Sequence, residues 1–277
     1  MRNIKSALRL GAVGCLLLLL AAQADAADAR RGEQALRASF YQNTVPTLLE
    51  VVGQMKGEVI ETLALDAETA AIVTKALDET WTEDRIYAES AAALEEVLPA
   101  ADLEAAMAKM TPDVQVMIKS AISEGASMEQ TQKWLMQARR HKDAKEREVL
   151  ARRIAAHMPA SEALGRLFRL IVDVMADVAI AAAGSNEGVD EFRAELMSSL
   201  TPMLDAMNQK DAMMLATIIV YRDQPTADLR KLADALDSKP ARKLHDAALR
   251  SILAGSNKAK QALVARIEND LKKAKRQ

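Results

Sequence analysis

The side chains best able to move a proton near neutral pH are three histidines, His141, His157 and His245. His141 and His157 flank a long polar stretch and stand too far apart to share one helical face. His245 sits beside Leu244 and Leu249 on an apolar face, where a neutral imidazole satisfied by a carboxylate or a carbonyl is the structural expectation. Its functional counterpart is a polar residue lining a groove. Asp173 and Asp177, four residues apart, could share a cation. Arg166 and Arg169 lie on the same stripe, so Arg169–Asp173 reads as a plain i, i+4 ion pair. Met107, Met110, Met117, Met203, Met207, Met213 and Met214 recur at helical spacing, which suits core filling or an adaptable groove. The run Arg139-Arg140-His141-Lys142 reads as solvated helix surface. No HExxH, EF-hand loop, GxSxG or Walker glycine loop is present. The chemistry-bearing residues therefore assign no catalytic residue, no cofactor and no metal ligand, and a protein that is not an enzyme is expected.

The elements that would position these residues are helices. Alanine, leucine, methionine, glutamate and lysine abound, glycine, proline and aromatics are few, and no stretch alternates as a strand would. Helices are expected near Arg31–Gln42, Thr47–Leu63, Ala67–Glu79, Glu83–Val97, Ala101–Lys109 and Pro112–Ser123. Gly125-Ala126-Ser127 then breaks the chain. A single polar helix from Met128 to His157 follows, ended by Pro159. Ser161 is a good N-cap for Glu162–Ala183, which carries Leu164, Leu167, Phe168, Ile171, Met175, Val178 and Ala182 on one face. Val189 to about Met207 is next, with Pro202 as a kink or break, then Asp211–Arg222 and a lysine-rich helical tail from Ser256 to Gln277.

Two segments resemble each other. Glu95–Ile122 and Tyr221–Leu249 each read as a helix end, a break, a short helix, a second break and a new helix. Pro99, Ala101, Asp102 and Leu103 match Pro225, Ala227, Asp228 and Leu229 at a constant offset. The short helices then place Leu103, Ala106, Met107, Met110 and Leu229, Leu232, Ala233, Leu236 at i, i+3, i+4, i+7. Thr111-Pro112 and Ser238-Lys239-Pro240 restart the helix with a capping hydroxyl and a proline in the first turn. In this register His245 takes the place of Ile118. The expected fold is all-α, a helical bundle of two related halves, each ending in a short helical hairpin. The expected division is a signal peptide (1–26), an N-terminal half (27–126), a long connecting helix (127–158), a C-terminal half (159–255) and a basic amphipathic tail helix (256–277).

Tyr221-Arg222-Asp223, Thr226-Ala227-Asp228-Leu229 and Ser238 to Arg242, with Pro240 between them, resemble the C-terminal signature of an exported bacterial family, the domain of unknown function DUF2059. That signature has an aromatic helix end, a Ser/Asp-x-Glu-Leu start and a Ser-Pro-x-Gly-Arg/Lys break. This chain departs from it: the glycine of the break is Ala241 here and Val114 in the first segment, and the proline is displaced to Pro240. The resemblance implies an exported all-helical protein and no particular activity.

Export is also legible at the N-terminus. Arg2, Lys5 and Arg9 form a basic region, Leu10 to Ala22 an apolar one, and Ala22-Gln23-Ala24 and Ala24-Asp25-Ala26 are cleavage sites, so Met1–Ala26 reads as a signal peptide leading to the periplasm. Cys15, the only cysteine, precedes the leucine run, whereas a lipobox normally closes it. Lipidation is therefore the lesser alternative. Cleavage would leave no cysteine, with 34 basic and 38 acidic residues, a balance that argues against nucleic-acid binding. The function expected is non-catalytic binding of a periplasmic protein or an envelope component through an apolar groove between the halves. The alternatives are peripheral membrane contact through the basic tail, whose Leu263, Ile267 and Leu271 form one stripe, and an enzyme of unrecognised type.

Overall fold

The computed structural model describes residues 31–42, 44–62, 64–119, 128–158, 161–186, 188–207 and 211–276. The expected signal segment Met1–Ala26 with Cys15, the Gly125-Ala126-Ser127 break and Pro159 lie outside them. The described residues form thirteen helices and no strand, so the fold is all-α. The helices are α1 (31–38), α2 (Thr44–Thr62), α3 (Ala67–Thr80), α4 (Glu83–Val97), α5 (Ala100–Lys109), α6 (Pro112–Lys119), α7 (Met128–Arg139), α8 (Ala144–Ala155), α9 (Ser161–Ala183), α10 (Val189–Met207), α11 (Ala212–Val220), α12 (Thr226–Asp237) and α13 (Lys239–Ala274).

Short polar side chains set many of the boundaries. Asp66 accepts from the Thr69 amide at 2.8 Å to start α3, Thr82 from Arg85 to start α4, and Ser238 from Ala241 to start α13. Each satisfies an amide that has no partner inside its helix. Ser39 does the reverse at the end of α1. Its hydroxyl donates to the Leu36 carbonyl and accepts from the Tyr41 amide, which turns the chain where a helix to Gln42 was expected. α10 is helical straight through Pro202, so no break occurs there.

The two similar segments share their breaks in space. Pro99 and Pro225 have nearly the same backbone angles, and each carbonyl accepts from the amides three and four residues on. Leu103, Ala106 and Met110 are buried in one, and Leu229, Leu232, Ala233 and Leu236 in the other. The segments also pack on each other crosswise, α5 against α13 and α6 against α12. The likeness is local, however. α13 runs on for 36 residues, about 54 Å.

α13 is the element the others gather around, touching α3, α4, α5, α9 and α12. Its closest approach is to α4. A Cβ added at Gly255 would meet the Ser90 amide nitrogen at 2.4 Å and its Cα at 2.7 Å, so only glycine lets the two backbones meet. The expected tail is not a separate helix but the second half of α13. Ala259, Leu263 and Ile267 are wholly buried with α3, α4 and α9 residues. Lys258, Lys260 and Arg266 reach Glu89, Asp177 and Glu79, and so tie the same segment to α4, α9 and α3. The physical reason is that the tail's apolar stripe continues the buried stripe of the residues before it, with only small Gly255 and Ser256 between them.

Two further expectations are corrected. The single helix Met128–His157 is two helices, α7 and α8, separated by residues 140–143. α11 packs against both, so the chain must bend between them. Thr226 donates to the Asp143 side chain and holds the bend against the start of α12. The partner of the Asp173 and Asp177 pair is not Arg169. Arg193 on α10 lies 3.8 Å from Asp173 and 3.2 Å from Asp177, and Lys260 on α13 lies 2.7 Å from Asp177. Two carboxylates on one helical face thus serve as the joint of α9, α10 and α13. One buried cluster combines α1 to α5, α9 and α13, and a smaller one combines α6, α8, α12, Tyr221 and Ala241, so each draws on both ends of the sequence.

Candidate functional site

His245 stands on the second turn of α13, whose start is fixed by Ser238. The turn made by Ser39 brings Phe40 and Tyr41 onto it, with ring centroids 5.8 Å and 4.9 Å away. His157, just past the end of α8, meets it edge-on at 6.5 Å. The carboxylate expected beside His245 belongs to His157 instead, whose Nε2 lies 2.7 Å from Asp237. Arg153 closes the network, 2.6 Å from the same carboxylate and 2.7 Å from Asp234. Burial, and then the charge that His157 carries when protonated, push the His245 imidazole down to about 4. Burial also pushes the Tyr41 phenol up to about 12. At Asp237 burial works upward, but the hydrogen bonds from His157 and Arg153 outweigh it and hold the carboxyl below its ordinary range.

The void at this cluster is about 10 Å³, bounded by Ser39, Phe40, Ile118, His157, Leu244 and His245 among others. At that size it holds at most about one water. His245 is thus a half-buried residue packed among aromatic rings at the edge of the core, and the space beside it is too small to be a ligand groove. The other signature residues are structural as well. Tyr221 and Leu229 are buried, Asp228 pairs with Lys231 at 2.9 Å, Ser238 caps α13, Pro240 sits in its first turn and Arg242 is exposed.

The open groove lies elsewhere, between α7, α8, α11 and the start of α12. It therefore joins the connecting segment to the C-terminal part of the chain, not the two expected halves. Its volume is about 300 Å³. Leu135 and Ala138 form one wall, Ala151 and Ile154 the floor, and Met214, Leu215 and Ile218 the opposite wall, with Arg139, Lys145 and Glu148 also at the groove. α11 is the reason it is apolar. Its sequence AMMLATIIV is apolar all round but for one threonine, and that threonine turns its hydroxyl back to the Met213 carbonyl at 2.7 Å. Such a helix is normally buried on every side. Here only Met214 and Thr217 are buried, and the other seven residues stay partly open.

Two arginines hold the groove in shape. Arg147 on α8, itself buried, donates to the carbonyls of Tyr221, Arg222 and Gln224 at 2.8, 3.0 and 2.7 Å, and so caps the end of α11. Burial lowers its pKa, while Asp143 and Asp223 act the other way. Arg222 lies 4.0 Å over the Trp134 ring and pins α7 to the same helix end. Tyr221 also lines the groove. Its hydroxyl is buried with no hydrogen-bond partner among the described residues, and burial raises its pKa.

The periodicity of single helices did not single out this site, because its walls come from four of them. The available signal was the nine-residue apolar run at Ala212–Val220, too short to span a membrane and without a polar face. Met214 belongs to this wall, Met213 is a half-buried residue of the same helix, Met110 and Met117 belong to the smaller core, and Met107 packs partly against both cores; the side chains of Met203 and Met207 lie outside the described residues. Among the described residues no three His, Cys, Asp or Glu side chains converge as metal ligands would, and no helix is long and apolar enough to cross a membrane. Comparison with family models, with curated proteins and with solved structures finds no match for this chain.

Proposed function

We propose that this protein is an exported, non-catalytic binding protein that takes an apolar ligand of the cell envelope into the groove between α7, α8, α11 and α12. The observation that carries the reading is α11, a helix apolar but for Thr217 whose residues other than Met214 and Thr217 stay partly open. A helix with no polar face gains most when something covers it, since each Å² of apolar surface removed from water contributes roughly 25 cal/mol. The unpartnered Tyr221 hydroxyl supports the reading, because a pocket of apolar walls with one or few polar groups is the usual form of a small-molecule site. The bacterial family resemblance of Tyr221 to Arg242 and the N-terminal leader support the export part.

Membrane attachment by the tail is less favoured, since its apolar stripe at Leu263 and Ile267 is already buried. The test uses the chain secreted with its own leader. N-terminal sequencing should begin near Asp25 or Ala27; retention of residues 1–22 would refute the leader. The secreted protein should bind the neutral fluorophore N-phenyl-1-naphthylamine saturably at one site. Ala138→Trp, which fills the groove from a half-exposed position, should abolish that binding without lowering the melting temperature. A folded protein that binds no fluorophore, or binds it equally after Ala138→Trp, would overturn the groove assignment.

A further inference from the structure

The charges around the groove narrow the ligand class further. Three basic side chains line it, Arg139, Lys145 and Arg147, against one acidic one, Glu148. Arg147 is committed to three carbonyls and is buried. Glu148 is bound at 3.3 Å by Arg152 of the next turn, so its charge is already answered. The other carboxylate on this part of α8, Glu146, is paired with Arg230, and Asp143 accepts from Thr226. Arg139 and Lys145 have no ion-pair partner among the described residues, and both are exposed. An apolar slot thus opens beside two cations that no described residue neutralises. Moreover, the slot's volume of about 300 Å³ is at the lower end of the range for small-molecule pockets, room for one hydrocarbon chain but not for two.

Resting on the groove reading above, we propose that the ligand is a single-chain anionic amphiphile of the fatty-acid class. Its chain lies against Ile154, Met214 and Ile218, and its carboxylate sits at the mouth between Arg139 and Lys145. The Arg139 guanidinium offers two parallel donors to a carboxylate, and Lys145 adds a point charge. Because both cations are exposed, each contributes modestly and in a salt-dependent way.

Isothermal titration with three ten-carbon probes below their micelle concentrations tests this: decanoate, decanol and decyltrimethylammonium. Decanoate should bind at one site about tenfold more tightly than decanol, in line with two solvent-screened charge contacts, and the ammonium more weakly than either. Arg139→Gln with Lys145→Gln should bring decanoate to the affinity of decanol and leave decanol unchanged. Raising the salt concentration should weaken decanoate alone. If decanol binds as tightly as decanoate, or the double variant leaves decanoate unaffected, the anionic assignment fails while the groove stands. If neither decanoate nor decanol binds the folded protein, the groove reading itself fails.

Discussion

Lowering the pH from 7 to 4.5 should cost this protein stability through His245, and the amount follows from its surroundings. The imidazole is enclosed by Phe40, Tyr41 and His157, and its pKa lies near 4, against an ordinary value of 6.5. The folded state therefore holds His245 neutral while the unfolded chain takes up the proton. The stabilisation is fully present above 6.5, falls as the pH drops through the window between 6.5 and 4, and is absent below it. At 1.36 kcal/mol for each tenfold change in the proton equilibrium, the whole window is worth roughly 3 kcal/mol.

The other groups facing this ring act outside the window or are held in common. Tyr41 stays neutral throughout, and Arg153 stays charged. Asp237 is depressed, so its contribution is present above its ordinary carboxylate value and is lost only as the pH falls below it. The proper comparison is therefore between wild type and His245→Leu, each unfolded in urea at pH 7 and pH 4.5. The wild type should lose about 2–3 kcal/mol more than the variant over that interval, whatever the variant's baseline. The reasoning is refuted if the two lose stability in parallel. It is refuted as well if an NMR titration finds His245 protonating near or above 6.5.

Other outcomes follow from the packing. Gly255→Ala should destabilise the protein by about 1–3 kcal/mol in urea unfolding, because the added methyl collides with the Ser90 hydroxyl and also with its backbone nitrogen and Cα, which cannot swing aside as a side chain can. An unchanged midpoint would mean that α4 and α13 are not in backbone contact. Arg147→Met should cost on the order of 3 kcal/mol by leaving the carbonyls at the end of α11 without donors, and it should lower the protection of that helix in hydrogen exchange before it affects α13.

What the sequence determined by itself is whatever depends on neighbours a few residues apart. The all-α class, the capped start at Ser238, the matching proline breaks at Pro99 and Pro225, and the apolar position of His245 are all local readings, since a cap or a 3.6-residue stripe is complete within one or two turns. Tertiary structure decided what required a second element. Residues 128–157 have the composition of one helix, but α11 packs against both α7 and α8, which requires a bend between them. Asp173 has an arginine four residues before it, yet Arg193 from another helix reaches it. The tail carries an amphipathic stripe suited to a membrane or a core, and only the place of α3, α4 and α9 made it core. His245 was legible as a histidine on an apolar face, but not that Phe40, Tyr41 and His157 would enclose it while the carboxylate went to His157. The groove was hidden for the same reason. A pocket is the space left between helices, and the relative placement of α7, α8, α11 and α12 is set by long-range contacts such as Arg147 with the turn at Tyr221 and Gln224, 74 and 77 residues away.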